Sequence, residues 1–206
     1  MKASLLALGF ATLLAAHRND EYLQATLISI ERGQIWLELN LTPGQAVWPV
    51  VLAMIDTDGD GHLSEIEKHA YAIKVVQSLS LEVDRVKLEL RLLDSQFPAI
   101  KDMAAGQESI RLRIRSDLPA SWAADHQLRF LNHNSPAIGA YLVNCLLPID
   151  GEPVIAAQKR DYAQSEIQVG YSFKTRWPPI QRTVWWIGAV GIALLGGGAI
   201  WLRQRV

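Results

Sequence analysis

Strict period-two alternation constrains this chain most. In "IWLELNL", Ile35, Leu37, Leu39 and Leu41 point one way, with Trp36, Glu38 and Asn40 opposite. Only an extended backbone puts every second side chain on one face, so the segment reads as a strand with one buried side. "KLELRL" repeats the pattern with Leu88, Leu90 and Leu92, and "SIRLRIRS" with Ile110, Leu112 and Ile114 against Arg111, Arg113 and Arg115. Leu128 with Phe130, and Ile167, Val169 and Tyr171, continue it, while Tyr22 to Ile30 and Ala140 to Leu147 are more evenly apolar, as central strands are. Turn residues fall between the runs at Arg32-Gly33, Asp94-Ser95, Gly106, Asp117 to Pro119 and Asp150-Gly151. Seven to nine short strands, each apolar on one face, predict a mainly β fold, an antiparallel β-sandwich.

Residues 46–79 break the pattern. Pro49 suits the first turn of a short helix, Pro49 to Ile55, and Ser64 to Leu79 reads as a longer one. Ile66, Ala70, Ile73 and Val76 recur at helical spacing, and Ser64 with Glu67 matches the S-x-x-E capping box. Between the two helices lies "DTDGDGHLSEIE", Asp56 to Glu67, with five acidic residues and two glycines in twelve positions. Asp56, Asp58 and Asp60 stand at positions 1, 3 and 5 of a calcium-loop register, Gly61 at 6, His62 at 7, Ser64 at 9 and Glu67 at 12. Carboxylates at alternate positions of a tight loop converge on one point, as a hard cation needing six to eight oxygens requires. Position 7 contributes its backbone carbonyl, so the His62 imidazole is not needed. Ser64 acts directly or through water, and Glu67 closes the sphere with both carboxylate oxygens. The plainer alternative is a solvated acidic turn without metal.

The loop resembles the EF-hand calcium-binding family at every ligand position, with Ile55 before it and Leu63 at position 8 as further matches. The resemblance covers Pro49 to Leu79 and implies bound Ca2+. EF-hands usually come in pairs, and this chain carries one; a lone loop predicts a structural brace rather than a signalling trigger. The stretches "AHRNDEYLQATLISI", "LNLTPG", "VLAMIDTDGDG" and "AYLVNC" are similar to the exported N-terminal domain of bacterial membrane proteins related to the hydrogenase/urease accessory, nickel-permease-like family. In that setting several membrane helices follow the domain. Here one apolar run follows, so the resemblance implies no transport activity.

The two ends predict a membrane address. Residues 1–16 carry Lys2, an apolar stretch from Leu5 to Leu14, and Ala15-Ala16, the layout of an export signal cleaved after Ala16; an uncleaved anchor is the alternative. Val184 to Leu202 is uncharged for 19 residues, with Trp185, Trp186 and Trp201 at its ends and Arg203 and Arg205 beyond. At about 1.5 Å per residue this length fits the hydrocarbon core of a bilayer. The expected order is a signal at 1–16, an exported domain at 17–175, a proline-containing stalk at 176–183, a transmembrane helix at 184–202 and a cytoplasmic tail at 203–206. The protein is thereby expected at the cell membrane, single-pass, its N-terminal domain in a bacterial periplasm or at the cell surface. A buried core helix, or a tail removed by surface sorting, are the competing readings of the same run.

Other signals are weaker. Cleavage after Ala16 leaves His17 as an N-terminal histidine, which chelates copper when other imidazoles converge on it; His69, His126 and His133 are the candidates. This supports an alternative role in copper or nickel handling beside a transporter. Ala189, Ala193 and Gly197 form a small-residue ridge suited to a weak homodimer, and an unidentified protein partner is equally open. The formal net charge of −1 gives no basic field for nucleic acid. The single cysteine, Cys145, lies in an apolar stretch and reads as a core residue. No acid/base or nucleophile constellation stands out, so no catalytic residues are assigned and the expectation is a binding or structural module rather than an enzyme.

Overall fold

The computed structural model describes residues 20–118 and 125–174. The expected signal, His17, the stalk, the apolar run and the tail lie outside the described residues. Among those described, no helix is long and apolar enough to cross a membrane.

The protein is mainly β, with ten described strands in two five-stranded sheets. β1 (Tyr22–Glu31), β2 (Gln34–Pro43), β5 (Arg91–Gln96), β6 (Ile110–Asp117) and β8 (Gly139–Cys145) form one sheet in the order β5-β6-β2-β1-β8. The second runs β4-β3-β7-β10-β9, from β3 (Leu79–Val83), β4 (Val86–Lys87), β7 (Asp125–Asn132), β9 (Val154–Arg160) and β10 (Glu166–Ser172). The apolar faces share one core. Ile28, Leu37, Leu39, Ile110, Leu112 and Ile114 contribute from the first sheet, and Leu81, Phe130, Ile167 and Val169 from the second.

The alternation expected for β2, β6, β7 and β10 is observed, and on β7 it extends to His126 and Asn132, both buried. Several expectations are corrected. The sheets are not wholly antiparallel: β8 pairs with β1 in parallel. β7 ends in the second sheet at the end where β1 begins, so the chain crosses between sheets there and starts β8 alongside β1. "KLELRL" is not one strand either. β3 and β4 form a hairpin through Asp84 and Arg85, both at positive φ (51° and 69°), and the chain then passes to the other sheet, where β5 starts at Arg91. Asp94 and Ser95 lie within β5, beside an irregularity between Leu92 and Asp94, rather than in a turn. β1 also alternates strictly, and its buried face includes Gln24 and Thr26 as well as Tyr22, Ile28 and Ile30.

β8 is not the central strand that the even apolarity of Ala140 to Leu147 suggested: it and β9 each lie at a sheet edge, where unpaired backbone invites association. Side chains of β9 cover part of the β8 edge. Cys145 N–H donates to Gln158 Oε1 (3.2 Å), Gln158 Nε2 donates to the Cys145 carbonyl (2.9 Å), and Arg160 Nε donates to the Val143 carbonyl (2.6 Å).

The segment between β2 and β3 is helical, as expected. α1 (Trp48–Ile55) and α2 (Glu65–Gln77) flank the acidic loop, and a five-residue α3 (Ile100–Ala104), not anticipated, packs near β2. Trp48, Val51 and Ile55 bury one face of α1. On α2 the buried set is Glu67, Tyr71, Ala72, Val75 and Val76, whereas Ile66 is 83% exposed. Glu67 turns inward to the loop, which sets the helix phase and rotates Ile66 and Ala70 outward.

The helical insert seats on a buried polar network. Tyr22 and Tyr71 share a hydroxyl hydrogen bond of 2.6 Å. Gln24 Oε1 accepts from Asn132 Nδ2 and Asn134 Nδ2, both at 3.1 Å, while Gln24 Nε2 donates to the Asn134 carbonyl at 2.8 Å. Tyr141 donates to that same carbonyl at 2.9 Å. Burial pushes the Tyr71 hydroxyl up to about 12, so it stays protonated and available as a donor. These bonds satisfy groups that would otherwise be costly to bury.

Candidate metal centre

The loop begins where α1 stops. Asp56 is the C-cap of α1, its N–H donating to the Leu52 carbonyl at 2.8 Å, and Ile55 beside it is fully buried. The first aspartate is thus fixed to the core while the loop projects outward. Asp56 accepts from Gly59 N–H at 2.8 Å and Gly61 N–H at 3.0 Å, one on each carboxylate oxygen. Asp58 accepts from Asp60 N–H at 3.2 Å, and Asp60 from His62 N–H at 2.7 Å. Gly59 and Gly61 take positive φ (73° and 79°), which folds the chain tightly enough for this set and which side-chain-bearing residues rarely adopt.

Asp56, Asp58 and Asp60 each place a carboxylate oxygen within 4.8 Å of the others. Among the described residues this is the one group of three or more histidine, cysteine or acidic side chains that converges in this way. Like charges this close repel, and a divalent cation relieves the repulsion. The donors are all hard oxygens, the chemistry that suits calcium or magnesium better than copper or nickel.

Glu67 is outside that group. Its Oε1 accepts from Thr57 N–H (2.7 Å) and Thr57 Oγ1 (3.2 Å), and its Oε2 from Ser64 N–H (3.0 Å) and Ser64 Oγ (2.8 Å). Ser64 Oγ in turn accepts from Glu67 N–H at 3.3 Å, which completes the capping box expected from the sequence. These bonds, led by that from the Ser64 backbone, hold the Glu67 carboxyl down at about 2. It is an anion at neutral pH, and it clasps the start of the loop to the start of α2. Sequence spacing does not single out Thr57, because position 2 of the loop carries no ligand; its role follows from the inward turn of Glu67.

Leu63 packs partly against the core, while the His62 side chain is exposed and plays no part in the cluster. Of the histidines named for a second metal, the three among the described residues are not gathered. His69 and His133 are exposed, and His126 is buried at the far end of β7 from His133. His126 Nδ1 lies 2.7 Å from Asp84 Oδ2, and its ring stacks on Tyr171 with centroids 5.2 Å apart. Burial opposes the charge on Asp84, but the hydrogen bonds from His126 and the Gln127 N–H outweigh it and hold the carboxyl below its usual range. This pair ties the β3–β4 turn to β7.

No protein-family model matches the chain, and no curated protein matches it. The functional reading therefore rests on the residues and their arrangement.

Proposed function

We propose that residues 56–67 bind Ca2+ and that the ion braces the helical insert of an exported, membrane-anchored binding or structural module. The observation that carries this reading is the convergence of Asp56, Asp58 and Asp60 on a loop whose glycines and capping box match the EF-hand register. Asp56, Asp58, Asp60, the His62 carbonyl, Ser64 and Glu67 would hold the ion, which supplies charge neutralisation and a fixed loop geometry. Asp56 anchors the loop to α1, and Glu67 anchors it to α2. Calcium would thus join two helices that already rest on the sheets.

The antiparallel pairs of both sheets support a sandwich-like scaffold for this insert. The membrane anchor is the sequence reading of 184–202, and export that of 1–16. Copper or nickel handling is the alternative; its imidazole donors at His69, His126 and His133 do not converge, which favours calcium.

Equilibrium dialysis of the full chain against calcium, copper and nickel together, read by metal mass spectrometry, tests the proposal. One equivalent of calcium, lost in Asp58→Ala, is the expected result. Stoichiometric copper or nickel without calcium would instead support the alternative.

A further inference from the structure

The domain has two dissimilar ends. The acidic loop lies at the end where β1 begins and β2 finishes. At the other end are the β1–β2 turn, the β3–β4 turn and the connection from β8 to β9. β1 alone, ten residues long, separates them by about 30 Å at the usual strand rise. The last described residue, Lys174, belongs to the second end. Its N–H donates to Glu152 Oε1 at 2.9 Å and its carbonyl accepts from Arg32 Nη2 at 3.0 Å. Arg32 also pairs with Glu152 at 2.8 Å and lies 4.8 Å over the Phe173 ring.

That same β8–β9 connection carries "LLPI", Leu146 to Ile149. Leu146 is 46% exposed, Leu147 72% and Ile149 107%, with Val154 adding 46%. Scattered exposed apolar residues are ordinary, but a consecutive run on one loop is costly in water without a partner. The loop is joined through Glu152 to the point where the chain leaves for the uncharged run at 184–202. Nine residues, 175–183, lie between, and they reach about 30 Å at most when fully extended.

We propose that the β8–β9 loop docks on the bilayer, with Leu146, Leu147 and Ile149 entering its headgroup layer and the calcium loop held on the far side. The proposal rests on the membrane-anchor reading. Asp150, exposed beside Ile149, limits the insertion to interfacial depth, because a carboxylate resists entry into hydrocarbon. The domain would then have a fixed orientation, with its metal site facing the solvent or a partner.

The test uses the full chain in phosphatidylcholine/phosphatidylglycerol vesicles, with an environment-sensitive fluorophore on Leu147→Cys and a reference on Tyr162→Cys. Tyr162 is fully exposed between β9 and β10, at the metal-loop end. Native Cys145 is buried and its thiol is pushed up by burial to about 11, so it labels poorly; chain without an added cysteine measures the remainder. The expected result is flotation with the vesicles, a blue shift at position 147, strong quenching there by lipid-borne quenchers, and neither effect at 162. Flotation with a water-exposed label at 147 overturns the docking and leaves the anchor standing. Failure to float overturns both. A blue shift that lipid quenchers do not reach assigns the loop to a second copy of the chain and overturns the lipid proposal.

Discussion

Gln24→Leu is expected to lower the melting temperature of the domain by about 10 °C, although leucine is similar in size and apolar. Gln24 Oε1 is the shared acceptor for the amides of Asn132 and Asn134, and Gln24 itself is fully buried. Removing it takes the acceptor from two buried amides, each at a cost of about 1–3 kcal/mol, although Asn134 keeps a hydrogen bond to the Tyr71 hydroxyl. For a domain of this size each kcal/mol corresponds to about 2–4 °C. The Asn134 carbonyl keeps its bond from Tyr141, so the loss is not total. Thermal unfolding followed by circular dichroism checks the prediction, and a change of only a degree or two would show that the network contributes little. Because Tyr22 and Tyr71 join β1 to α2 next to these groups, the same measurement reports how firmly the insert is seated.

Calcium is expected to raise the melting temperature by about 3–6 °C when present at roughly ten times its dissociation constant. Mass action at that ratio gives about 1.4 kcal/mol, and the same size scaling converts it to degrees. Millimolar calcium is the appropriate range for a lone loop. Two variants separate binding from folding. Asp58 is exposed and accepts one loop hydrogen bond, so Asp58→Ala should abolish the calcium response with little change in the metal-free protein. Asp56 is 9% exposed and accepts two, so Asp56→Ala should abolish the response and also destabilise the metal-free protein. A calcium shift of equal size in both variants would place the ion elsewhere.

The features legible in the sequence are those set by local chemistry. β2, β6 and β10 alternate because one face of each is buried, and Ser64 and Glu67 form the capping box their spacing implies. The positive φ of Gly61 follows from its place in the loop. What the sequence conceals depends on contacts distant along the chain. The parallel pairing of β1 with β8 is decided by where β7 ends, and Gln24 is tolerated in the core because Asn132 and Asn134 lie opposite it. The break in "KLELRL" has the same origin: its leucines serve two different sheets. β3 is hidden because Leu79 follows α2 almost directly and continues its apolar spacing. β9 lacks alternation because it is an exposed edge. In the candidate site, the aspartates can be named from spacing alone, whereas the clasp of Thr57 by Glu67 requires the inward rotation of α2.

Calorimetric titration of calcium into the full chain reads binding at residues 56–67 without relying on stability. One binding event per chain is expected, lost in Asp58→Ala and weakened in Glu67→Gln, which keeps an acceptor for the capping box but removes the charge at position 12. Absence of binding heat at millimolar calcium, or binding indifferent to both substitutions, would contradict the proposed site.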